Sequence, residues 1–444
     1  MTLLAGMVAL ACSLCLAPRA SAADGCANAA LRSGAAGRLP DCRAWEQVSP
    51  VQKNGVDVVS TSAVASVDGG DHVYFNAAGA FAGAESVLYD TAYVSARGGD
   101  WTTRGTDPAL TPTGLLVKAT LGLSEDGTKA VVVTSKALAP GAIEGGSNLY
   151  VRDLTQPSSY RLVVATDTPS LYANLTGFGG QGGYHAGNDD LSAFAFTSAT
   201  PLLDEAPAGM SSLYLWHDGR LSLASRLPDG TTPDLPNLLA NTPSRDGRRI
   251  SEDGTRIWFT YDNALYQYAE GEGTTLISRS HRAGDDPTAP ATIDGAAYAS
   301  PDGREIVFVA SGALTDESDV PSRGAIYRWS ADDDSLIDLS SPYTPAGGGP
   351  LALNVLRASS DGRFIWLTSW APLTPDAGSG TEGRLYVIDT EAGQLRFVAN
   401  FVNEVGGPWM TRFSPNGHRI AFVSFSPVTG VDNVSAVCRE PGSP

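Results

Sequence analysis

The chain has 444 residues, of which 42% are hydrophobic and 18% charged, so it is long enough to bury a large core. Its 49 glycines and 28 prolines are typical of a protein built from turns, and no long segment keeps a helical apolar period. The 48 acidic and 30 basic residues give a net charge of −18 without any Lys/Arg cluster among aromatic residues. We therefore expect almost no helix and no nucleic-acid partner.

Residues 1–22 have the pattern of a signal peptide. An apolar stretch runs from Leu3 to Leu16, and Ala20-Ser-Ala22 is a small-residue cleavage motif. The stretch is not preceded by Lys or Arg, which departs from the usual pattern. No other segment is apolar enough to span a bilayer. We expect a protein exported to the periplasm or the exterior, with no membrane span.

The segment 23–44 contains two of the three cysteines that remain after the leader. In an oxidising compartment, Cys26 and Cys42 could form a disulfide that closes a short loop. Pairing of either residue with Cys438, or free thiols, are the alternatives, and the sequence does not decide between them.

One short phrase recurs seven times along the chain: Ser or an equivalent, one residue, Asp-Gly, and then a β-branched and aromatic run. Clear copies are Ser124-Glu-Asp-Gly127 and Ser300-Pro-Asp-Gly303, and the sixth copy contains Ser360-Asp361-Gly362. Asp-Gly favours a two-residue hairpin turn, since glycine tolerates positive φ and aspartate can bond its own downstream backbone. The predicted structural turn residues are Asp68, Gly69, Asp126, Gly127, Asp189, Asp190, Asp253, Gly254, Asp302, Gly303, Asp361, Gly362, Asn416 and Gly417.

Two further strand signals follow most of these hairpins. Leu149–Val151 and Leu385–Ile388 are examples of the third signal, and Tyr160–Val164 is an example of the fourth. Four short antiparallel strands per unit describe the blade of a β-propeller. The turn positions recur every 49 to 64 residues, more than the roughly 40–45 that a bare blade needs. The sequence therefore predicts an all-β, seven-bladed β-propeller of four-stranded antiparallel blades over 45–444, with extra length in its loops.

The seventh unit loses its strand pattern after two strands. Val434–Val437 is a weak third strand, and no fourth follows. Either Glu46–Val48 or Val56–Val59 could supply an outer strand from the N-terminal side, or the chain is shortened. We expect an incomplete last blade and favour shortening.

Ser-Pro-Asp-Gly before Ile306-Val-Phe308, together with Leu149-Tyr-Val151, resembles the WD-like repeats of TolB-type propellers over roughly residues 60 to 425. This resemblance implies a secreted or periplasmic propeller that binds other proteins, or one that gates a hydrolase. The phrase from Asp41 to Pro50 is similar to the opening of secreted propeller proteins of high-GC bacteria, a resemblance that implies no activity.

Loop length is expected to be concentrated on one face. The first-to-second and third-to-fourth connections are short, whereas second-to-third connections such as 200–210 and return connections such as 167–183 are long. Long loops on a rigid scaffold commonly carry binding sites.

The chemical motifs are sparse. There is no Gly-x-Ser-x-Gly nucleophile motif, and no His or Cys pair has zinc-ligand spacing. Acidic runs such as Asp332–Asp334 could bind calcium, although the sequence assigns no ligands to it. No other cofactor and no catalytic residue is predicted. Our hypothesis is a non-catalytic, monomeric propeller that binds a protein or glycan of the cell envelope or exterior through its long-loop face. The alternative is a hydrolase or lyase with acidic residues at the central channel.

Overall fold

The fold is described from a computed structural model. It describes residues 28–39, 42–59, 65–67, 70–81, 84–88, 90–98, 100–109, 119–156, 158–167, 183–234, 249–294, 298–318, 324–343, 353–378, 383–401, 411–414 and 416–422. These residues form 25 strands in seven antiparallel sheets, which we number in chain order. Sheets 1, 2, 3, 5 and 6 have four strands each, and sheet 4 has three.

The strands alternate with turns and follow one another across each sheet. Sheets 1 to 3 contain β1 (Ala65–Val67), β2 (His72–Ala77), β3 (Thr91–Arg97), β4 (Trp101–Gly105), β5 (Thr120–Leu123), β6 (Lys129–Thr134), β7 (Ser147–Asp153), β8 (Ser159–Thr166), β9 (Tyr184–Gly187), β10 (Ala193–Ser198), β11 (Ser212–His217) and β12 (Arg220–Leu223). Sheets 4 and 5 contain β13 (Arg256–Tyr261), β14 (Ala264–Ala269), β15 (Gly273–Leu276), β16 (Tyr298–Ala299), β17 (Glu305–Ala310), β18 (Ala325–Ser330) and β19 (Ser335–Asp338). Sheets 6 and 7 contain β20 (Leu353–Ala358), β21 (Phe364–Ser369), β22 (Gly383–Asp389), β23 (Gln394–Phe401), β24 (Thr411–Phe413) and β25 (Ile420–Phe422).

Helix in the described residues is limited to short 3₁₀ turns at Ala29–Leu31, Gly34–Arg38, Ser341–Tyr343 and Pro375–Ala377. Within the same residues, no helix has the length and apolar character needed to cross a bilayer.

The core lies between consecutive sheets. Side chains alternate along a strand, so each sheet has two apolar faces and packs on the sheet before and the sheet after it. On β13, Ile257 and Phe259 pack against sheet 3, whereas Trp258 between them packs against sheet 5. The same pattern links sheets 1 and 2, 2 and 3, 5 and 6, and 6 and 7. Four-stranded meanders packed face to face in chain order form a β-propeller, and the predicted fold is confirmed; the count of seven blades stays a prediction.

Two sheets depart from the four-strand pattern. In sheet 4 the described part of the first strand is a single bridge between Ile250 and Ile257, and residues 235–248 before it lie outside the described residues. Sheet 7 has only β24 and β25 among the described residues, and the predicted weak strand Val434–Val437 lies outside them.

The N-terminal segment packs on sheet 1. Val58 forms a bridge with Ala77 of β2, and Val48 and Val56 pack against the core of this sheet. Glu46 accepts hydrogen bonds from Arg97 at 2.9 Å and from the indole of Trp101 at 2.6 Å. Residues 46–48 and 56–59, which the sequence offers as an outer strand for the last blade, therefore make their described contacts with sheet 1.

The repeated Ser-x-Asp-Gly phrase closes each first-to-second turn with its own side chains. In sheet 2, Ser124 Oγ donates to Asp126 Oδ1 at 2.6 Å and accepts from the Lys129 amide at 2.8 Å. The Asp126 carboxylate also accepts from the Thr128 amide at 3.0 Å. Burial alone would raise the pKa of Asp126, and these hydrogen bonds outweigh it, so the pKa lies below its ordinary value.

The turn differs from the predicted two-residue hairpin. Four residues separate Ser124 from Lys129, and the Gly127 amide donates to the Ser124 carbonyl at 3.0 Å. Only Gly127 has positive φ (65°), whereas a two-residue type I′ turn needs it at both central positions. The loop is therefore built on an ordinary turn followed by a left-handed glycine.

The structure also corrects two residue assignments. In the sixth turn the serine that bonds Asp361 is Ser359, at 2.6 Å, rather than Ser360. In the third turn Asp190 occupies the aspartate position, accepting from the Ser192 amide at 2.9 Å, and Asp189 is the variable residue before it. Asp68 and Gly69 lie outside the described residues.

Candidate functional site

The two edges of the sheets differ in the length of their connections. Second-to-third connections span 78–90, 135–146, 199–211, 311–324 and 370–382, whereas in sheet 4 this connection is only Asp262 and Asn263. First-to-second turns in sheets 2 to 6 have five residues each. The predicted asymmetry of the loops is present, and we call the edge with the long second-to-third connections the long-loop face.

A buried tyrosine on the third strand holds each long second-to-third connection. Its hydroxyl accepts a hydrogen bond from a backbone amide near the start of the connection. The pairs are Phe81 N with Tyr93 (2.7 Å), Leu138 N with Tyr150 (3.0 Å), Leu202 N with Tyr214 (3.1 Å), Leu314 N with Tyr327 (3.0 Å) and Leu373 N with Tyr386 (3.0 Å). All five tyrosines are buried, and burial raises their pKa values, so the hydroxyls stay protonated and can also donate.

Replacing Tyr327 with phenylalanine should loosen the 311–324 connection. The change removes the bonds to the Leu314 amide (3.0 Å) and the Gly312 carbonyl (2.8 Å). We expect a loss of about 1–3 kcal/mol in unfolding free energy. Tyr266→Phe is the control. Tyr266 lies opposite Phe259 in its sheet as Tyr327 lies opposite Phe308, but the second-to-third connection of its sheet has only two residues. Hydrogen exchange at the Leu314 amide reports the local effect; unchanged exchange there would contradict the anchoring role.

The second residues of two third strands, β7 and β22, supply further hydrogen bonds to the long connections. Arg384, the largest fully buried side chain among the described residues, donates to the carbonyls of Trp370 (2.5 Å), Ala377 (2.9 Å) and Gly378 (3.2 Å). In sheet 2, buried Asn148 accepts from the Ile143 amide at 2.8 Å and donates to the Ile143 carbonyl at 2.9 Å. The 135–146 and 370–382 connections are therefore held near their starts by a tyrosine and again further along by Asn148 or Arg384.

The short first-to-second turns are held differently, by backbone hydrogen bonds between turns of neighbouring sheets. The Glu125 amide donates to the Asp189 carbonyl at 2.6 Å, and the Glu252 amide donates to the Pro301 carbonyl at 2.7 Å. Proline at the corresponding position of sheet 5 has no amide hydrogen to continue the series. The Ser360 amide donates to Asn416 at 3.1 Å in the same way. Much of the polar backbone at this edge is thus engaged between neighbouring sheets.

The first strands, which line the centre of a propeller, are basic rather than acidic where they are described. They carry His185 on β9, Arg249 beside the sheet 4 bridge, Arg357 on β20 and Arg412 on β24, and no described residue of these strands is acidic. Burial and the charge of Arg249 lower the pKa of His185 to about 3. The cavity that His185 and Arg249 line between sheets 3 and 4 measures about 10 Å³, room for a single water. These strands give no support to an acidic catalytic site.

The acidic runs considered for calcium bind side chains of the protein itself. Asp332 and Asp334 form ion pairs with Arg304 and Arg279, and Asp334 also accepts from the Trp329 indole at 2.9 Å. Among the described residues, no group of three His, Cys, Asp or Glu side chains is arranged to hold a metal ion.

Of the three cysteines considered for a disulfide, the described residues include only Cys42. Cys42 is disulfide-bonded, whereas Cys26 and Cys438 lie outside the described residues. The pairing of Cys26 with Cys42 stays a prediction.

Sequence reasoning identified the turns and the long connections but missed the residues that hold those connections. The tyrosines belong to the Leu-Tyr and Ile-Tyr pairs of the third-strand signals, and their recurrence was a usable signal. Arg384 and Asn148 occur in single sheets and have no repeated pattern that could have revealed them.

Comparison with known proteins gives fold-level similarity. No protein-family model and no curated protein matches the sequence. Solved structures that match include TolB from Acinetobacter baumannii, at 18% identity and a TM-score of 0.29 over 66% of this chain and 57% of that chain. An oligogalacturonate lyase in complex with manganese matches at 15% identity and a TM-score of 0.38, over 80% of this chain and 83% of that one.

The β-propeller domain of the Trilobed protease from Pyrococcus furiosus also matches, at 10% identity and a TM-score of 0.35, over 78% of this chain and 84% of that chain. The predicted resemblance to TolB-type propellers is thus confirmed at the level of fold. This chain spans only 57% of the TolB structure from Acinetobacter baumannii. Since the matches include a lyase and a protease domain as well as TolB, they assign no activity.

Proposed function

We propose that this chain is a secreted, non-catalytic β-propeller that binds a protein or glycan partner of the cell envelope or exterior through its long-loop face. The observation that carries the proposal is the repeated anchoring of five long connections by buried tyrosines. Loops fixed in advance lose little conformational entropy on binding, which favours recognition.

The contrast between the two edges supports the same face. At the first-to-second turns, side chains and amides are engaged within the turn or with the next sheet. The long connections keep many exposed side chains beyond their anchors, including Pro140, Ala208 and Asp376. The signal-peptide pattern of residues 1–22 supports export. Whether calcium contributes to binding is tested by including and omitting calcium in the capture experiment.

The test uses capture followed by a matched pair of variants. The folded chain is immobilised, and the component retained from envelope and culture fluid, with and without calcium, is purified and titrated against variants. Ala208→Arg adds bulk to an exposed alanine of the long-loop face, and Ala392→Arg does the same in a third-to-fourth turn. We expect Ala208→Arg to weaken binding at least tenfold and Ala392→Arg to leave it unchanged. The reverse order, or no saturable component from a folded sample, would refute the proposal.

A further inference from the structure

Exposed large apolar side chains gather on the long-loop face. Among the described residues from the first sheet onward, five large hydrophobic side chains are exposed, and four of them lie in second-to-third connections. These four are Val87 (71% exposed), Ile143 (38%), Met210 (41%) and Trp370 (47%). The fifth, Ile337, lies on the fourth strand β19. Single exposed apolar residues are ordinary, but these four lie in the same kind of connection in four different sheets, so they share one edge of the molecule.

Each of the four is held at or beside a backbone hydrogen bond to a side chain. Ile143 and Trp370 are clamped directly by Asn148 and Arg384. Next to Val87, the Leu88 amide donates to the buried Thr91 hydroxyl at 3.0 Å, and next to Met210, the Ser211 amide donates to Asp234 at 2.8 Å. The backbone that carries these side chains is therefore positioned before any partner arrives.

The same connections are acidic. Their exposed carboxylates are Glu85, Glu144, Asp204, Glu205, Asp316, Glu317 and Asp376, of which Glu85 is ion-paired with Arg152 of β7. Over the described parts of these five connections, Lys136 is the sole basic residue. A surface with apolar points among carboxylates complements a partner with apolar pockets among Lys and Arg side chains.

We infer that the partner of the long-loop face is a protein whose contact surface is cationic and partly apolar, with Val87, Ile143, Met210 and Trp370 as the anchoring side chains. The inference rests on the proposed function and names the partner class for the same face. A neutral glycan could stack on the indole of Trp370 and donate hydroxyl hydrogen bonds to the carboxylates, but it has no positive charge to pair with them and no apolar pockets for Val87, Ile143 and Met210.

The test selects disulfide-constrained random 16-residue peptides displayed on phage against the full chain. We expect the enriched peptides to be rich in Lys or Arg and in aromatic or aliphatic residues. Their affinity should fall about tenfold or more in the double variant Ile143→Ser/Trp370→Ser, because buried anchors dominate interfaces. Ile337→Ser is the control, since it removes an equally exposed apolar side chain from β19. Binding should also weaken as sodium chloride rises from about 50 to 500 mM.

The charge contribution is tested separately. Glu144→Gln/Glu205→Gln/Asp376→Asn should reduce affinity about tenfold and flatten the salt dependence, whereas Glu125→Gln/Glu391→Gln on the opposite edge should not. Enriched peptides that are acidic or polar throughout, or that bind the Ile143→Ser/Trp370→Ser variant equally well, overturn the inference. Dextran or polygalacturonate binding that Ala208→Arg abolishes would overturn the cationic protein partner and leave the proposed function standing. If no peptide or glycan binding is sensitive to Ala208→Arg, both fail.

Discussion

Replacing Gly254 with alanine should destabilise the protein more than the same change at Gly271, although both glycines belong to sheet 4. Both have positive φ, 74° and 80°, so each substitution carries the same left-handed backbone strain of roughly 1–2 kcal/mol. A Cβ at Gly254 would lie 2.2 Å from the Ala193 Cβ of the neighbouring sheet, whereas at Gly271 it would meet nothing within 4 Å. We expect an extra loss of about 1–3 kcal/mol at Gly254 from overpacking between sheets 3 and 4.

Gly303 provides an intermediate point in the same series. Its φ is 69°, and an added Cβ would lie 3.3 Å from the Cβ atoms of Arg256 and Ser251 in sheet 4. The midpoints of thermal unfolding should therefore fall in the order Gly271→Ala, Gly303→Ala, Gly254→Ala, with Gly254→Ala lowest. Equal midpoints for all three variants would show that neighbouring sheets shift apart at the turns without cost to accommodate the added Cβ. Backbone strain at positive φ would then be the sole reason for glycine at these positions.

This close approach explains why the turn phrase predicted the fold so well. The glycine serves the turn and the packing of one sheet on the one before it, so the same two residues recur in most sheets. Sheet 3 is the exception, since Leu191 takes the glycine position with φ of 53° and packs its side chain into the core with sheet 2. A leucine in the left-handed region is outside any turn rule, so the sequence could reveal the third turn only through Asn188, Asp189 and Asp190.

The candidate site was less predictable than the fold. The length of the second-to-third connections is visible in the sequence, and so is the recurring third-strand tyrosine. The sequence does not show that Val87 and Trp370 are exposed, because each has apolar neighbours and could equally be a core residue. Whether Arg384 forms an ion pair at the surface or clamps three carbonyls in the interior depends on the path of a loop that has no repeat.

Asp107→Ala should be among the most destabilising substitutions in the chain. The Asp107 side chain is only 2% exposed and follows β4 of sheet 1. Its carboxylate accepts from the Ala92 amide of β3 at 2.7 Å and from the Thr120 amide of β5 at 3.0 Å. The Asp107 carboxylate thus accepts from β3 of sheet 1 as a backbone carbonyl would, and it also accepts from β5, the first strand of sheet 2. Removing it leaves two buried amides without this acceptor, each costing about 1–3 kcal/mol.

We therefore expect a loss of roughly 2–6 kcal/mol for Asp107→Ala and a smaller loss for Asp107→Asn, which keeps one acceptor oxygen. Asp100→Ala, in the exposed turn between β3 and β4, is the control and should change stability by less than about 0.5 kcal/mol. Hydrogen exchange at the Ala92 and Thr120 amides should accelerate together in Asp107→Ala, because one carboxylate serves both sheets. Faster exchange at only one of them would mean that sheets 1 and 2 are joined at this point by their apolar contacts, with Asp107 capping a single strand.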